Sequence, residues 1–429
     1  MTDYARRICM NLLREICAWL PVIGLLAIVI ALPFQFGWWV QGMYYFLAFG
    51  YILDYVLNRR WRNWHWEPNK IVFIAFILFS FLVPISQLFD TVCTSVYTSA
   101  LENVSPFLFV GLCGLVGTTD KFHVDYFGWA MLIVSVIIVG VLIAWTEIYT
   151  STQYAWIELF NLHRTELINT HMVLNMYWNI SLVLGMYMLV RGGYSLGWRI
   201  VIGGLMCAPL FAILISEGRT GVITTVLIIM ISLLYVILRS RRWQLWSLWI
   251  ILCIGAACFL WTKPNVQELL RTPNPRIYQW EISMQMIRER PWLGYGVSSA
   301  REEYIQRVMN NQPLKDLYIE PIVEKDPRYR QNGEVNYRVL HPHSVFLETW
   351  MRYGIIGLLV LSFCLLSPFA MRLGKGQFYM DLCVVIYIVQ AFMESLSAQC
   401  NAMYLCVPVL LFYITRSKAD DTSPSCCEQ

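Results

Sequence analysis

Two histidines, His341 and His343, stand at the end of a long polar segment and directly before a long apolar one, in His341-Pro342-His343-Ser344-Val345-Phe346-Leu347-Glu348. An imidazole titrates near neutral pH, so a histidine at the edge of an apolar span is placed to accept a proton at a membrane surface. Two arginines stand at comparable junctions. Arg219 lies in the tight turn Ser216-Glu217-Gly218-Arg219-Thr220-Gly221, between two apolar runs. Arg276 opens a helical pattern in the polar segment, with Trp280 one turn further on. The planar guanidinium fork grips phosphate oxygens in pairs and keeps its charge throughout the working pH range. Two such forks and a base on one rim suit a lipid-linked diphosphate.

Each of these residues also has a plainer reading. Arg219 reads equally well as an interfacial anchor whose stem snorkels. Arg276, taken alone, reads as a solvated first-turn residue, although the helix macrodipole disfavours a cation there. His341 and His343 read as caps of the helix that follows. A His-x-His pair also suits a metal, but no Cys or third His lies nearby in sequence, so neither a metal nor any other cofactor is expected. Glu217 is positioned to orient Arg219. Glu348 lies about one turn inside an apolar run, and Glu394 near the outer end of the next. Carboxylates at such depth mark candidate substrate-binding positions, with helix-to-helix hydrogen bonding as the alternative. A polar run through Asn161, His163, Arg164, Asn169, His171 and Asn175 either lines a sugar-binding cavity or packs between helices. Trp145, Trp156, Trp280 and Trp292 offer faces for stacking on sugar rings, and equally suit an aromatic belt.

The elements that hold these residues follow from composition. The 429 residues are 58% hydrophobic and 14% charged, with a mean hydropathy of +0.53. A soluble domain is about 45–50% apolar and about 25% charged. The excess and the deficit together indicate a polytopic membrane protein. The 18 Trp and 24 Tyr fit head-group boundaries. Net charge is only +4 and the basic residues are scattered, which excludes a nucleic-acid partner. Most of the 13 Cys lie in apolar runs or near the termini. Cys207, Cys253, Cys258, Cys364, Cys383 and Cys406 read as small buried hydrophobes, and the polar segment has no Cys to form a disulfide framework. The first apolar run, from about Ile16, is followed by no small-residue cleavage site and reads as a retained anchor.

About twelve apolar runs are long enough, or nearly so, to span: 16–34, 38–57, 71–89, 105–118, 127–146, 167–190, 199–215, 220–238, 244–262, 344–369, 379–396 and 400–415. Connections with excess Lys and Arg alternate with the others. Arg6, Arg7 and Arg14, then Arg59, Arg60, Arg62 and Lys70, then Arg191 and Arg199, Arg239 to Arg242, Arg372 and Lys375, and finally Arg416 and Lys418 share one side. The basic side is cytoplasmic, so both termini are expected in the cytoplasm and the Arg219 turn and long polar segment outside. The expected fold is all-α and polytopic, with about twelve transmembrane helices. The expected division is an N-terminal helical half on the acceptor and lipid side (1–199), helices bearing the arginine turn (200–262), the large outer loop (263–343), C-terminal helices (344–415) and a cytoplasmic tail (416–429).

The outer loop holds about 80 residues with about 22 charges of both signs. That is too long for a plain connector. Asn274 and Pro275 make an N-cap and first-turn pair, Ile277, Trp280, Met284 and Ile287 recur at helical spacing, and Pro291 stops the run. The pattern predicts an amphipathic helix over 275–290 lying against the membrane or the bundle. A Leu293-Gly294-Tyr295-Gly296 turn follows, and 311–338 reads as irregular.

Taken together, these motifs resemble the O-antigen ligase and polymerase superfamily of bacterial envelope glycosyltransferases. The resemblance rests on the Ser216 to Gly221 turn, on Arg276 and Trp280 leading into Pro291 to Gly296, and on His341 to Gly357. It covers roughly 200–400, and the layout of spans with one large outer loop extends it. Ser344 departs from the family's usual Asn, and Glu-Gly-Arg from its commoner Ser-Arg or Thr-Arg.

The resemblance implies a GT-C-like fold and glycan transfer from an undecaprenyl-diphosphate-linked donor at the periplasmic face of a Gram-negative inner membrane. His343, Arg219 and Arg276 would be catalytic, and His341, Trp280, Glu217, Glu394 and His171 would bind substrate. The acceptor is a lipid A–core sugar in a ligase or another lipid-linked glycan in a polymerase. The His-Pro-His before a long span and the loop length favour the ligase. A polymerase is the alternative, ahead of a protein O-oligosaccharyltransferase. From a different class, a polysaccharide transporter would place its charges near the bilayer midplane and show two related halves.

Overall fold

A computed structural model describes residues 3–34, 37–88, 90, 95–117, 121–149, 168, 171–191, 193–216, 219–240, 244–262, 275–316, 330–331, 334–335, 341–394 and 402–420. The chain is an all-α polytopic membrane protein. Among the described residues nine helices precede the polar loop: α1 (Asp3–Ala31), α2 (Gly37–Leu57), α3 (Ile71–Ser86), α4 (Ser95–Val116), α5 (Val124–Tyr149), α6 (His171–Arg191), α7 (Leu196–Ile215), α8 (Arg219–Ser240) and α9 (Gln244–Thr262). The described part of the loop contributes α10 (Pro275–Glu289) and α11 (Val297–Asn310), and α12 (Val345–Leu366), α13 (Gln377–Met393) and α14 (Met403–Asp420) follow. Every apolar run expected from the sequence falls on one helix. Among the described residues nine helices are long and apolar enough to cross a membrane, namely α1, α3 to α8, α12 and α13, while α14 carries the shorter apolar stretch Met403–Thr415. The helix least visible in the sequence, α4, begins at Ser95 rather than near 105.

Contacts between connections sort the helix ends into two rims. On one rim Phe34 bridges Ile168, Asp90 meets Ser298, and His343 meets Glu394. On the other, Trp64 donates to Leu115, Arg191 pairs with Asp125, Lys121 pairs with Glu15, and the Arg372 N–H donates to Asn69. This is the same partition as the alternation of Lys and Arg along the chain.

The loop helices pack on α12 rather than standing apart. Ile282, Met286 and Ile287 of α10 form a satellite core with Tyr295, Ala300, Tyr304, Val308, Leu314 and Met351. The buried face of α10 is rotated from the one that apolar spacing predicts. Ile277 is 61% exposed, while Gln279 and Ser283 are buried. Polar anchors at Arg276 and Trp280 fix the helix, so its rotation answers to them and not to hydrophobicity alone. Helix α11 lies in a stretch without a clear apolar pattern. Within 311–338, expected to be irregular, the described part includes a two-residue strand pair, Arg330–Gln331 against Glu334–Val335.

Two glycine motifs lock the loop to α12. Gly354 interrupts that helix at φ 64°, ψ −162°. The break frees the Met351 and Arg352 carbonyls, which accept from the Tyr295 and Gly296 N–H groups at 2.8 and 3.0 Å. Ile355 N–H, turned away from its own helix, donates to the Pro291 carbonyl at 2.8 Å. The exchange leaves these buried backbone groups satisfied. No side chain fits at the crossing: a Cβ on Gly354 would lie 2.0 Å from the Trp292 carbonyl oxygen.

Two ionic contacts complete the docking. The Asp90 carboxylate accepts from the Ser298 and Ser299 N–H groups, at 2.7 and 3.1 Å, and so caps α11 from 208 residues away. Arg307 of α11 grips the Glu289 carboxylate of α10 through both oxygens, at 2.8 and 2.6 Å, and Tyr295 donates to the same group. The hydrogen bonds from Arg307 and Tyr295 hold the Glu289 carboxyl down at about 2. The cysteines only partly follow expectation. Cys364, Cys383 and Cys406 are buried, whereas Cys207 and Cys258 are exposed on outer helix faces and Cys253 is intermediate.

Candidate functional site

Three separate elements converge on Glu394, the residue that caps the C-terminus of α13. Its Oε1 accepts from Arg276 at 2.7 Å, and its Oε2 lies 3.1 Å from His343 Nδ1. A second arginine nitrogen donates to the neighbouring Met393 carbonyl at 2.9 Å, so the guanidinium straddles the end of α13. Glu394 is 6% exposed. Burial alone would raise its carboxyl, but the His343 hydrogen bond and the Arg276 charge outweigh it, and the net direction is downward. Glu394 is therefore a carboxylate that only accepts, which assigns the shared proton to His343 Nδ1. In the neutral ring the basic lone pair then sits on Nε2, the nitrogen a proton-accepting role needs.

The backbone supports this placement. His343 lies at φ 48°, in the left-handed region that non-glycine residues adopt at a cost. Trp280 Nε1 donates to the Pro342 carbonyl at 3.1 Å, which ties α10 to the residue before His343. The Trp280 ring also meets Phe392 edge to face, at 5.9 Å between centroids. Trp280 thus works as a strut between α10, the His343 turn and α13. Ser344 occupies the N-cap position of α12, but its side chain makes no capping bond.

His341 belongs to a neighbouring cluster. It lines a small cavity with Arg301, Tyr304, Glu348 and Arg352. Loss of solvation lowers its ring to about 4; Glu348 opposes this, and the Arg301 and Arg352 cations reinforce it. His341 is thus neutral at physiological pH. Glu348 pairs with Arg352 one turn along α12. The cap reading of the two histidines fails for both: one faces a carboxylate, the other a mixed cluster.

The Arg219 turn is held by α6. Asn179 donates to the Gly221 carbonyl at 3.4 Å and accepts from Thr225 at 2.8 Å, while Asn175 reaches Ser216 at 3.5 Å. Gly221 has no room for a side chain, since a Cβ there would fall 2.4 Å from Asn175. Of the two readings of the polar half of α6, Asn175 takes the packing one. Arg219 is the first residue of α8, and α8 packs on α13. The two helices run in opposite directions, which puts the start of α8 and Glu394 on the same rim. The Arg219 and His171 side chains, Glu217, Asn161, His163, Arg164 and Asn169 lie outside the described residues, as do Trp156 and the Trp145 ring.

Of the expected site residues, the structure brings together His343, Arg276, Glu394 and Trp280, with His341 beside them. Sequence reasoning missed Asp90, Arg301 and Arg352. Only Arg352 carried a signal, its i+4 spacing from Glu348. The pairing of His343 with Glu394 spans 51 residues and has no local signature.

No curated protein matches the chain. Residues 204–362 match the family model described as O-antigen ligase. That segment runs from α7 into α12 and holds Arg219, Arg276 and His343. Over that segment the chain is similar to the O-antigen ligase family, whose description points to a ligase or glycosyltransferase type of enzyme.

Proposed function

We propose that the protein is an O-antigen ligase. It takes polysaccharide from undecaprenyl diphosphate and joins it to a lipid A–core sugar hydroxyl at the periplasmic face of a Gram-negative inner membrane. The observation that carries this reading is Glu394, which links a base to a cation at one rim. His343 Nε2 takes the proton from the acceptor hydroxyl as its oxygen attacks the anomeric carbon. The new C–O bond forms as the bond to the diphosphate breaks, and undecaprenyl diphosphate leaves with the electron pair. Arg276 and Arg219 stabilise that negative charge, the role a divalent cation takes in many sugar transferases. Glu394 holds the ring in its Nδ1–H tautomer and stabilises the imidazolium that forms. In-line attack inverts the anomeric configuration. Both termini then lie in the cytoplasm, and the rim bearing His343 faces the periplasm.

The test is a gel of surface glycolipid from a deletion strain, run beside an assay of lipid-linked glycan. A ligase leaves core without O-antigen and long polymer stranded on undecaprenyl diphosphate. Core carrying one repeat unit would instead identify a polymerase, whose acceptor is the next lipid-linked repeat.

A further inference from the structure

At the rim opposite His343, the segment leading into α3 and the turn Ser367–Ala370 after α12 enclose a cavity of about 740 Å³. Small-molecule sites fall in the range of about 300–1,000 Å³. The walls are joined through the backbone: Arg372 N–H donates to Asn69 Oδ1 at 3.0 Å, and Asn69 Nδ2 donates back to the Arg372 carbonyl at 3.5 Å. The lining has three chemical parts. Trp66, 54% exposed, and Ile71 supply an apolar edge. Glu67 and the exposed Arg372 supply opposite charges. Ser367 lines the cavity at 7% exposure, and its hydroxyl has no hydrogen-bond partner among the described residues. A buried polar atom without a partner costs about 1–3 kcal/mol, so a lone hydroxyl at a cavity wall indicates a ligand that supplies the partner.

Position narrows the ligand. The cavity lies where α3 begins and α12 ends, both membrane-spanning by length and composition, which is the level of lipid head groups. We propose that it binds a phospholipid whose head group carries both a phosphate and a primary ammonium, a phosphoethanolamine. Arg372 pairs with the phosphate, to which Ser367 donates, and Glu67 takes the ammonium. The acyl chains leave past Ile71, and Trp66 covers the glycerol level. Glu67 is held in place by His65, 2.7 Å from Oε1, and by Tyr413, which donates to Oε2 at 3.4 Å, and a purely anionic head group would bring a second negative charge to it without an ammonium. A choline brings a cation without N–H donors. This site is independent of the transfer chemistry at the other rim.

Native mass spectrometry of the full-length protein in detergent tests this, with phosphatidylethanolamine, phosphatidylglycerol and phosphatidylcholine of matched chains. Phosphatidylethanolamine should be retained at about tenfold lower concentration than either of the others, a difference of about 1.4 kcal/mol. Arg372→Gln and Glu67→Gln should each abolish that preference, and both leave the backbone clamp to Asn69 in place. His343→Ala should keep it. Equal retention of the three lipids, a preference for phosphatidylglycerol, or wild-type preference in both cavity variants would overturn the assignment.

Discussion

At the residue scale the site reduces to one carboxylate serving two partners. Glu394 pairs with Arg276 and with His343. A glutamine at 394 would offer an amide that can donate to Nδ1 and so stabilise the wrong tautomer. Glu394→Gln should therefore lower transfer by about 10²-fold or more, within the range of about 10²–10⁴ for a lost general base. His343→Ala should fall in the same range. In the double variant the two losses should not add, because the residues act as one unit. Arg276→Lys keeps the charge but cannot hold both Glu394 and the Met393 carbonyl with a fork, so a partial loss of about tenfold is expected. Steady-state transfer rates at matched protein levels check all four. His343 and Arg276 were legible in the sequence because their types and junction positions suit phosphate and proton chemistry. Glu394 is visible in the sequence as a deep carboxylate, with substrate binding and helix-to-helix hydrogen bonding as its two readings. Its partners were not legible, because they are set by how α10, α12 and α13 come together.

At the element scale the decisive feature is the interlock between the Pro291–Gly296 turn and the break in α12. Gly354 stands at positive φ against the Trp292 carbonyl. Gly374 also has positive φ, 59°, but nothing lies within 4 Å of its missing Cβ. Gly354→Ala should lower stability well beyond the roughly 1–2 kcal/mol of left-handed strain alone, whereas Gly374→Ala should show only that strain. Asp90→Ala removes a helix cap and should lower stability by about 1–2 kcal/mol. Thermal unfolding in detergent ranks the three. The positions of the helices were legible from hydropathy, since each of the twelve apolar runs falls on a helix, but among the described residues nine of these are long and apolar enough to span. The rotation of α10 was not, because Arg276 and Trp280 override its apolar stripe and leave Ile277 outside. The Asp90 cap was equally invisible, since a cap supplied from another connection leaves no local motif.

At the scale of the whole molecule, one rim gathers His343, Arg276 and Glu394, and both rims carry contacts between connections. The chemical rim also sets an acid limit on stability. His341 is lowered to about 4 when folded, so below about 6.5 the unfolded chain binds a proton that the folded chain refuses. Stability present above pH 6.5 should decline as pH falls toward 4. Glu289, held at about 2, adds a second decline below about 4.5. Melting temperature against pH should show both, and His341→Asn should flatten only the first. The most direct test of the central assignment uses purified protein in liposomes with an undecaprenyl-diphosphate-linked glycan and a lipid A–core acceptor. Wild-type protein should release undecaprenyl diphosphate as acceptor is glycosylated, and His343→Ala should still bind the donor yet transfer at least about 10²-fold more slowly. Transfer by His343→Ala at the wild-type rate would contradict the assignment of His343 as the base.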